Sequence, residues 1–189
     1  INLIGTVSAE FYKNNFMKKI VLVFLILNFN QSFSQTTNSI FDRKHEIKIG
    51  TVKLLAGSIF EGTYEHIQSK DFTFGSSILV NFDKSNSYPE DFSITPFARF
   101  YFQESKEFGA KGFFIEGFGK YATGYTDKDD YNIYENYSAA SLGLCVGKKW
   151  INNSGFVFEI LIGGGRVLGN SNTAPDASFR GDLFIGYRF

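Results

Sequence analysis

The chain is expected to be all-β, an eight-stranded antiparallel up-and-down transmembrane β-barrel. Three observations predict this: an alternating carboxy-terminal segment that closes on an aromatic residue, an aromatic-rich composition, and eight segments of strand length. In the closing segment, Phe179, Leu183, Ile185, Tyr187 and Phe189 share one face of a strand and Arg180, Asp182 and Arg188 the other. Outer-membrane barrels end in this way. Aromatic residues make up 18% of the chain, with 23 Phe and 10 Tyr against 3 Pro, which suits β architecture. The length of 189 residues suits one domain. A formal net charge of zero, with no clustered basic surface, argues against nucleic acid as a partner.

The amino-terminal region reads as a targeting segment. Met17-Lys18-Lys19, the apolar run Ile20 to Phe29 and Ser32-Phe33-Ser34-Gln35 form a signal peptide over residues 17–34, with cleavage after Ser34. The apolar run is only about ten residues, whereas a spanning helix needs roughly 20, which argues against a membrane anchor. Residues 1–16 then read as an upstream extension from a misplaced gene start, because a signal peptide works only near the amino terminus. A short genuine extension is the alternative. Residues 35–45 form a lead-in, and 46–189 the barrel. Of 19 basic and 19 acidic residues, cleavage removes Lys13, Lys18, Lys19 and Glu10, leaving 16 and 18 and a nearly neutral mature chain. The lone Cys145 is far from the cleavage site, so neither a lipid anchor nor an internal disulfide is expected, and it reads as a small wall residue.

The expected strands are Glu46 to Ala56, Ser58 to Ile67, Asp71 to Phe82, Phe92 to Phe102, Gly112 to Ala122, Ser138 to Lys148, Phe156 to Gly165 and Phe179 to Phe189. The third is the clearest. Phe72, Phe74, Ile78, Val80 and Phe82 face one way, Thr73, Gly75, Ser77 and Asn81 the other, and only Ser76 and Leu79 break the pattern. The fourth turns Phe92, Ile94, Pro96, Ala98, Phe100 and Phe102 outward and Ser93, Thr95, Phe97, Arg99 and Tyr101 inward. Energetics choose the face, because an Arg facing lipid at mid-bilayer costs about 2–4 kcal/mol. Pro96 cannot donate to a ladder, which predicts a bulge or a weakened pairing there. Segments of about 10 or 11 residues match a tilted crossing, and eight is an even number, as bacterial barrels require.

With both termini periplasmic, the connections near Gln68, at Gln103 to Lys111 and at Lys148 to Gly155 are periplasmic turns. Asp83 to Glu90, Gly124 to Asn136 and Arg166 to Ser178 are longer outward loops, and the first hairpin, around Ala56-Gly57, barely rises above the membrane. The inward charges form the most specific constellation: Glu61, Glu65, Arg99, Glu116, Lys120, Glu159, Arg180, Asp182 and Arg188. Eight strands leave room only for side chains, so charges of both signs should neutralise one another in a plugged interior. A proton relay, a narrow ion path or a buried ligand site is the competing reading. Trp150, Tyr187 and Phe189 are expected as interface aromatics at the periplasmic side.

Other motifs lead nowhere specific. Gly124 to Tyr131 is acidic and aromatic but lacks the glycine and later acidic ligand of an EF-hand, and no metal is expected. Gly163-Gly164-Gly165 has no following Lys-Ser/Thr for a phosphate cradle, so close packing or bending at a strand end is expected. Asn152-Asn153-Ser154 matches a glycosylation sequon but carries little weight in a bacterial chain. The only histidines, His45 and His66, fall at the periplasmic side, so a His-dependent lipid A-modifying site at the outer rim lacks its base.

Gly62-Thr63-Tyr64-Glu65, Thr95-Pro96-Phe97-Ala98-Arg99-Phe100-Tyr101-Phe102, Phe158-Glu159 with Gly163-Gly164-Gly165-Arg166, and Ile185-Gly186-Tyr187-Arg188-Phe189 together carry a resemblance. In their order and spacing, over residues 46–189, the chain resembles the small outer-membrane β-barrel family of Gram-negative envelopes described as a domain of unknown function. The resemblance implies an outer-membrane barrel and carries over no catalytic residue. The short first hairpin and the upstream residues depart from the pattern. The expected protein is thus non-enzymatic, without cofactor, acting in envelope integrity or in surface interaction through outward loops. Its expected partners are outer-membrane lipid and, through the C-terminal strand, the barrel-assembly machinery. A soluble secreted lipocalin-like barrel binding a small apolar ligand is the alternative, which would require an apolar interior and polar exterior. A lipid A-modifying enzyme and a passive pore rank behind it.

Overall fold

The computed structural model describes residues 42–83, 86, 88–102, 109–127, 134–168 and 174–189. The expected signal peptide, its cleavage after Ser34 and the upstream residues 1–16 lie outside the described residues. Eight strands form one closed barrel: β1 (His45–Gly50), β2 (Ile59–Ile67), β3 (Phe72–Asn81), β4 (Glu90–Phe102), β5 (Gly112–Asp127), β6 (Tyr134–Ile151), β7 (Phe156–Leu168) and β8 (Ala177–Arg188). Each strand pairs antiparallel with the next, and β8 closes on β1 through Glu46↔Arg188 to Gly50↔Phe184. The near end of the barrel carries the start of β1 and the terminal Phe189. The opposite end is its far mouth.

Period-two alternation puts alternate side chains inside. Along β4, Ser93, Thr95, Phe97, Arg99 and Tyr101 are buried while Phe92, Ile94, Pro96, Ala98, Phe100 and Phe102 are exposed. Leu79, which breaks the alternation of β3, is a buried interior residue there. Every strand contributes large apolar side chains to the outer surface: Ile47, Tyr64, Phe74, Phe100, Ile115, Leu144, Ile160 and Ile185 are all exposed, Leu144 to 62%.

Aromatic rings crowd the interior, and glycines on the wall make room for them. A Cβ added at Gly75 would lie 2.7 Å from Phe97 Cζ, and one at Gly147 would lie 2.8 Å from Phe114 Cε1. Gly143 stands in the same relation to Phe118. Gly163 and Gly165 are likewise pressed against the backbone of β6, so close packing is their role. They lie within β7, paired with Cys145 and Gly143, and not at its end.

Three expectations about elements are corrected, and the one about Pro96 holds in part. β1 stops at Gly50, and Val52–Gly57 forms a short helix, α1, in place of the outer half of the expected strand. Its first-turn amides are satisfied from β8: Asp182 Oδ1 accepts from Val52 N at 2.8 Å, and Asp182 Oδ2 from Lys53 N at 3.4 Å. The first hairpin is therefore a helical connection. At Pro96 the expected weakened pairing is present without a bulge: Ile94↔Tyr121 and Phe97↔Phe118 keep one register, but neither Thr95 nor Pro96 pairs with β5, and the register shift lies between Glu90 and Phe92. Much of the expected loop Gly124 to Asn136 is strand, since β5 and β6 stay paired out to Asp127↔Tyr134, past the last β4 pair at Glu90↔Gly124. β7 similarly continues to Leu168. Residues 84, 85, 87, 103–108, 128–133 and 169–173 of the expected turns and loops lie outside the described residues.

Candidate functional site

The barrel interior holds a continuous network of buried ion pairs. Register explains why it forms. Glu46 and Glu65 are direct cross-strand neighbours on the inner face, an arrangement that is unfavourable for like charges unless a cation intervenes. Lys149 intervenes, its Nζ donating to Glu46 Oε2 at 2.7 Å and to Glu65 Oε1 at 2.8 Å. Lys48 Nζ donates to Glu65 Oε2 at 2.5 Å and Glu159 Oε2 at 2.7 Å. Each carboxylate brought inward is thus bound by cations from other strands.

Arg99 is the hub. Its Nε donates to Glu116 Oε2 at 2.7 Å, its Nη1 to Glu65 Oε2 at 2.6 Å, and its Nη1 and Nη2 to the two oxygens of Glu159 at 2.9 Å each. Phe97 and Phe114 cover its guanidinium, each ring centroid 4.5 Å away. Arg99 is 1% exposed. Thr73 Oγ1 and Tyr101 Oη also donate to Glu65 Oε1, at 2.6 and 2.9 Å. Planar, five-donor Arg suits this position, because one side chain satisfies three carboxylates from three strands.

Toward the far mouth, Arg180 Nε donates to Glu116 Oε1 at 2.7 Å and its Nη1 to Glu61 Oε1 at 2.9 Å, while Lys53 pairs with Glu61. At the mouth itself, Lys120 Nζ donates to Glu90 Oε1 at 2.7 Å. At the near end, Arg188 Nε donates to Glu46 Oε1 at 2.7 Å, and its Nη1 and Nη2 to the carbonyls of Gly109 and Ala110 at 2.8 and 3.1 Å. That contact draws the end of the β4–β5 connection across the barrel floor.

Of the residues expected in the network, Glu61, Glu65, Arg99, Glu116, Lys120, Glu159, Arg180 and Arg188 make ion pairs inside the barrel. Asp182 faces inward too, but its described bonds cap α1 and the amide of Leu183 rather than join an ion pair. Sequence reasoning missed Glu46, Lys48, Lys53, Glu90 and Lys149. For the first pair the signal was present, since Glu46-Ile47-Lys48-Ile49 alternates charged and apolar residues. Lys149 escaped because the expected strand stopped at Lys148, one residue short of the inward position.

Trp150 and Phe189 are exposed at the near end, and Tyr187 is half-buried there, its hydroxyl accepting from Arg43 Nη1 at 3.2 Å. His45 and His66 lie side by side at the same end, ring centroids 5.1 Å apart. Cys145 is buried on the inner wall, its Sγ 3.9 Å from the carbonyl oxygen of Arg180. Among the described residues, no group of three His, Cys, Asp or Glu is placed to hold a metal ion.

Fold and interior together define a class: a closed eight-stranded antiparallel barrel, apolar outside and filled by charge pairs within. Among solved structures, the chain is similar to the N-terminal β-barrel domain of Pseudomonas aeruginosa OprF, with a TM-score of 0.50 and 12% identity, over 77% of this chain and 96% of that one. At that identity the likeness shows the fold alone. No family model and no curated protein matches the chain.

Proposed function

We propose that the protein is a non-enzymatic outer-membrane β-barrel of a Gram-negative envelope that spans the bilayer with its eight strands and acts in envelope integrity or in surface contact through its far-mouth connections. One observation carries the reading: the faces are inverted relative to a soluble barrel. Exposed Phe, Leu, Ile and Val on every side would form an aggregation-prone surface in water and a compatible one in lipid. Every strand pairs on both edges, as crossing hydrocarbon requires. The near end, with Trp150, Tyr187 and Phe189, is the periplasmic interface in this reading, and the lysine beside them fits it. Lys148 Nζ lies 4.3 Å from the Phe113 ring centroid and 5.3 Å from that of Trp150, the posture of a cation at a headgroup boundary.

The interior supports a structural role rather than an apolar ligand site of lipocalin type, because its middle is occupied by paired charges. We also propose membership of the small barrel family that the sequence resembles. The test is fractionation of the expressed protein, followed by electrophoresis of the outer-membrane fraction with and without boiling. The expected result is recovery in that fraction with heat-dependent mobility. Recovery in the soluble fraction with no shift would overturn the proposal.

A further inference from the structure

One incomplete member of the ion network lines a cavity. Between the ends of β4, β6 and β8 at the far mouth lies a cavity of about 150 Å³ whose wall includes Tyr88, Glu90, Tyr137, Ser141, Ser178 and Phe179. Glu90 is only 5% exposed. Its Oε1 is held by Lys120, yet its Oε2 is buried without a hydrogen-bond partner. A buried carboxylate oxygen left in that state is costly, so the site favours an added donor.

The neighbouring polar groups do not supply that donor. Lys120 Nζ donates its other described bond to the carbonyl oxygen of Phe179 at 2.8 Å. Tyr137 Oη donates to the carbonyl oxygen of Pro89 at 3.1 Å, and Ser178 Oγ to Ser141 Oγ at 2.9 Å. The rest of the wall is alanine, proline, valine and aromatic ring. A ligand for this space has an apolar body and one strong donor.

The local field gives the donor its sign. Burial, and after it the carboxylate of Glu90 with those of Glu61 and Asp182 behind it, push the Tyr88 phenol well above its ordinary range. The open acceptor is a carboxylate oxygen, and aromatic faces favour a cation close to them. A cavity of about 150 Å³ is the size that admits a benzene-like body, which excludes nucleotides, sugar phosphates and acyl chains.

We propose that the far-mouth cavity binds a small organic ammonium, a primary amine on a compact aromatic or apolar body, with its N–H donating to Glu90 Oε2 and its body against Tyr88, Tyr137 and Ala139. The membrane location is a separate matter: the binding can fail while the fractionation result stands, and the reverse.

The test is titration of the full barrel in detergent with benzylamine, followed by ligand-observed NMR, with benzyl alcohol and benzoate as comparison probes. Saturable benzylamine binding is expected, with the alcohol weaker by about tenfold or more and no binding of benzoate. Glu90→Gln keeps the shape and removes the charge, and should weaken benzylamine by about tenfold or more. Ala139→Phe fills the cavity without touching Glu90 and should abolish binding. Heat-dependent mobility of each variant checks its fold, and Ala139→Phe carries the test if Glu90→Gln does not fold. No saturable binding, equal binding by folded Glu90→Gln or Ala139→Phe, or equal binding of benzyl alcohol would overturn the proposal.

Discussion

The middle of the barrel and its far mouth use the same chemistry to different degrees of completion. In the middle, Glu65 accepts from Lys48, Thr73, Arg99, Tyr101 and Lys149, and both oxygens of Glu159 are engaged. At the mouth, Glu90 is bound by Lys120 on one oxygen alone, and Arg180 keeps a buried Nη2 without a partner. A saturated network resists change, whereas an unsaturated one leaves capacity for something added. Structure is therefore concentrated in the middle, and ligand chemistry is sought at the mouth.

Substitutions should grade along this contrast. Arg99→Ala removes the hub and leaves Glu65, Glu116 and Glu159 short of a cation in a water-excluded setting, so a loss of about 3–5 kcal/mol is expected. The readout is the temperature at which the folded band converts to the unfolded one on electrophoresis; an unchanged midpoint would break the comparison. Gly147→Val forces a side chain against Phe114 and should cost about 1–3 kcal/mol. Pairing it with Phe114→Leu should recover part of that loss, and simple additivity in the double variant would mean the ring and the glycine do not share space.

Smaller effects are expected where bonds lie at the edge of the network. Asp182→Ala uncaps α1 and should cost about 1 kcal/mol, detected as faster amide exchange at Val52 and Lys53. Lys148→Ala, on the exposed face, should change stability by less than about 0.5 kcal/mol in urea titrations of the barrel in vesicles. A large effect there would shift weight from the interior to the outer surface.

Strong alternation was legible wherever both faces are loyal to it. On β4 and β8 the inward arginines were legible, because Arg99, Arg180 and Arg188 stand among apolar outward neighbours. The cluster was legible as a set of charges but not as a set of pairs, since the partners of Arg99 lie on β2, β5 and β7 and only register brings them together. α1 was not legible, because its first-turn amides are satisfied by Asp182, about 130 residues away in sequence. The cavity was hidden for a related reason: Glu90 fell in an expected loop, and its lone partner Lys120 belongs to the next strand.

The seam between β1 and β8 has a kinetic meaning. Glu46 and Arg188 meet across 142 positions of chain, and His45 exchanges backbone bonds with Phe189 at 2.8 and 3.2 Å. Contacts of such long sequence separation form slowly, after the local hairpins, since loop closure must precede any gain from them. Until that last zip, two strand edges are open and Glu46 lacks one of its cations. The chain thus has a window in which it is a curved, unfinished sheet, and it is during that interval, rather than afterwards, that it is most exposed to mispairing with other strands.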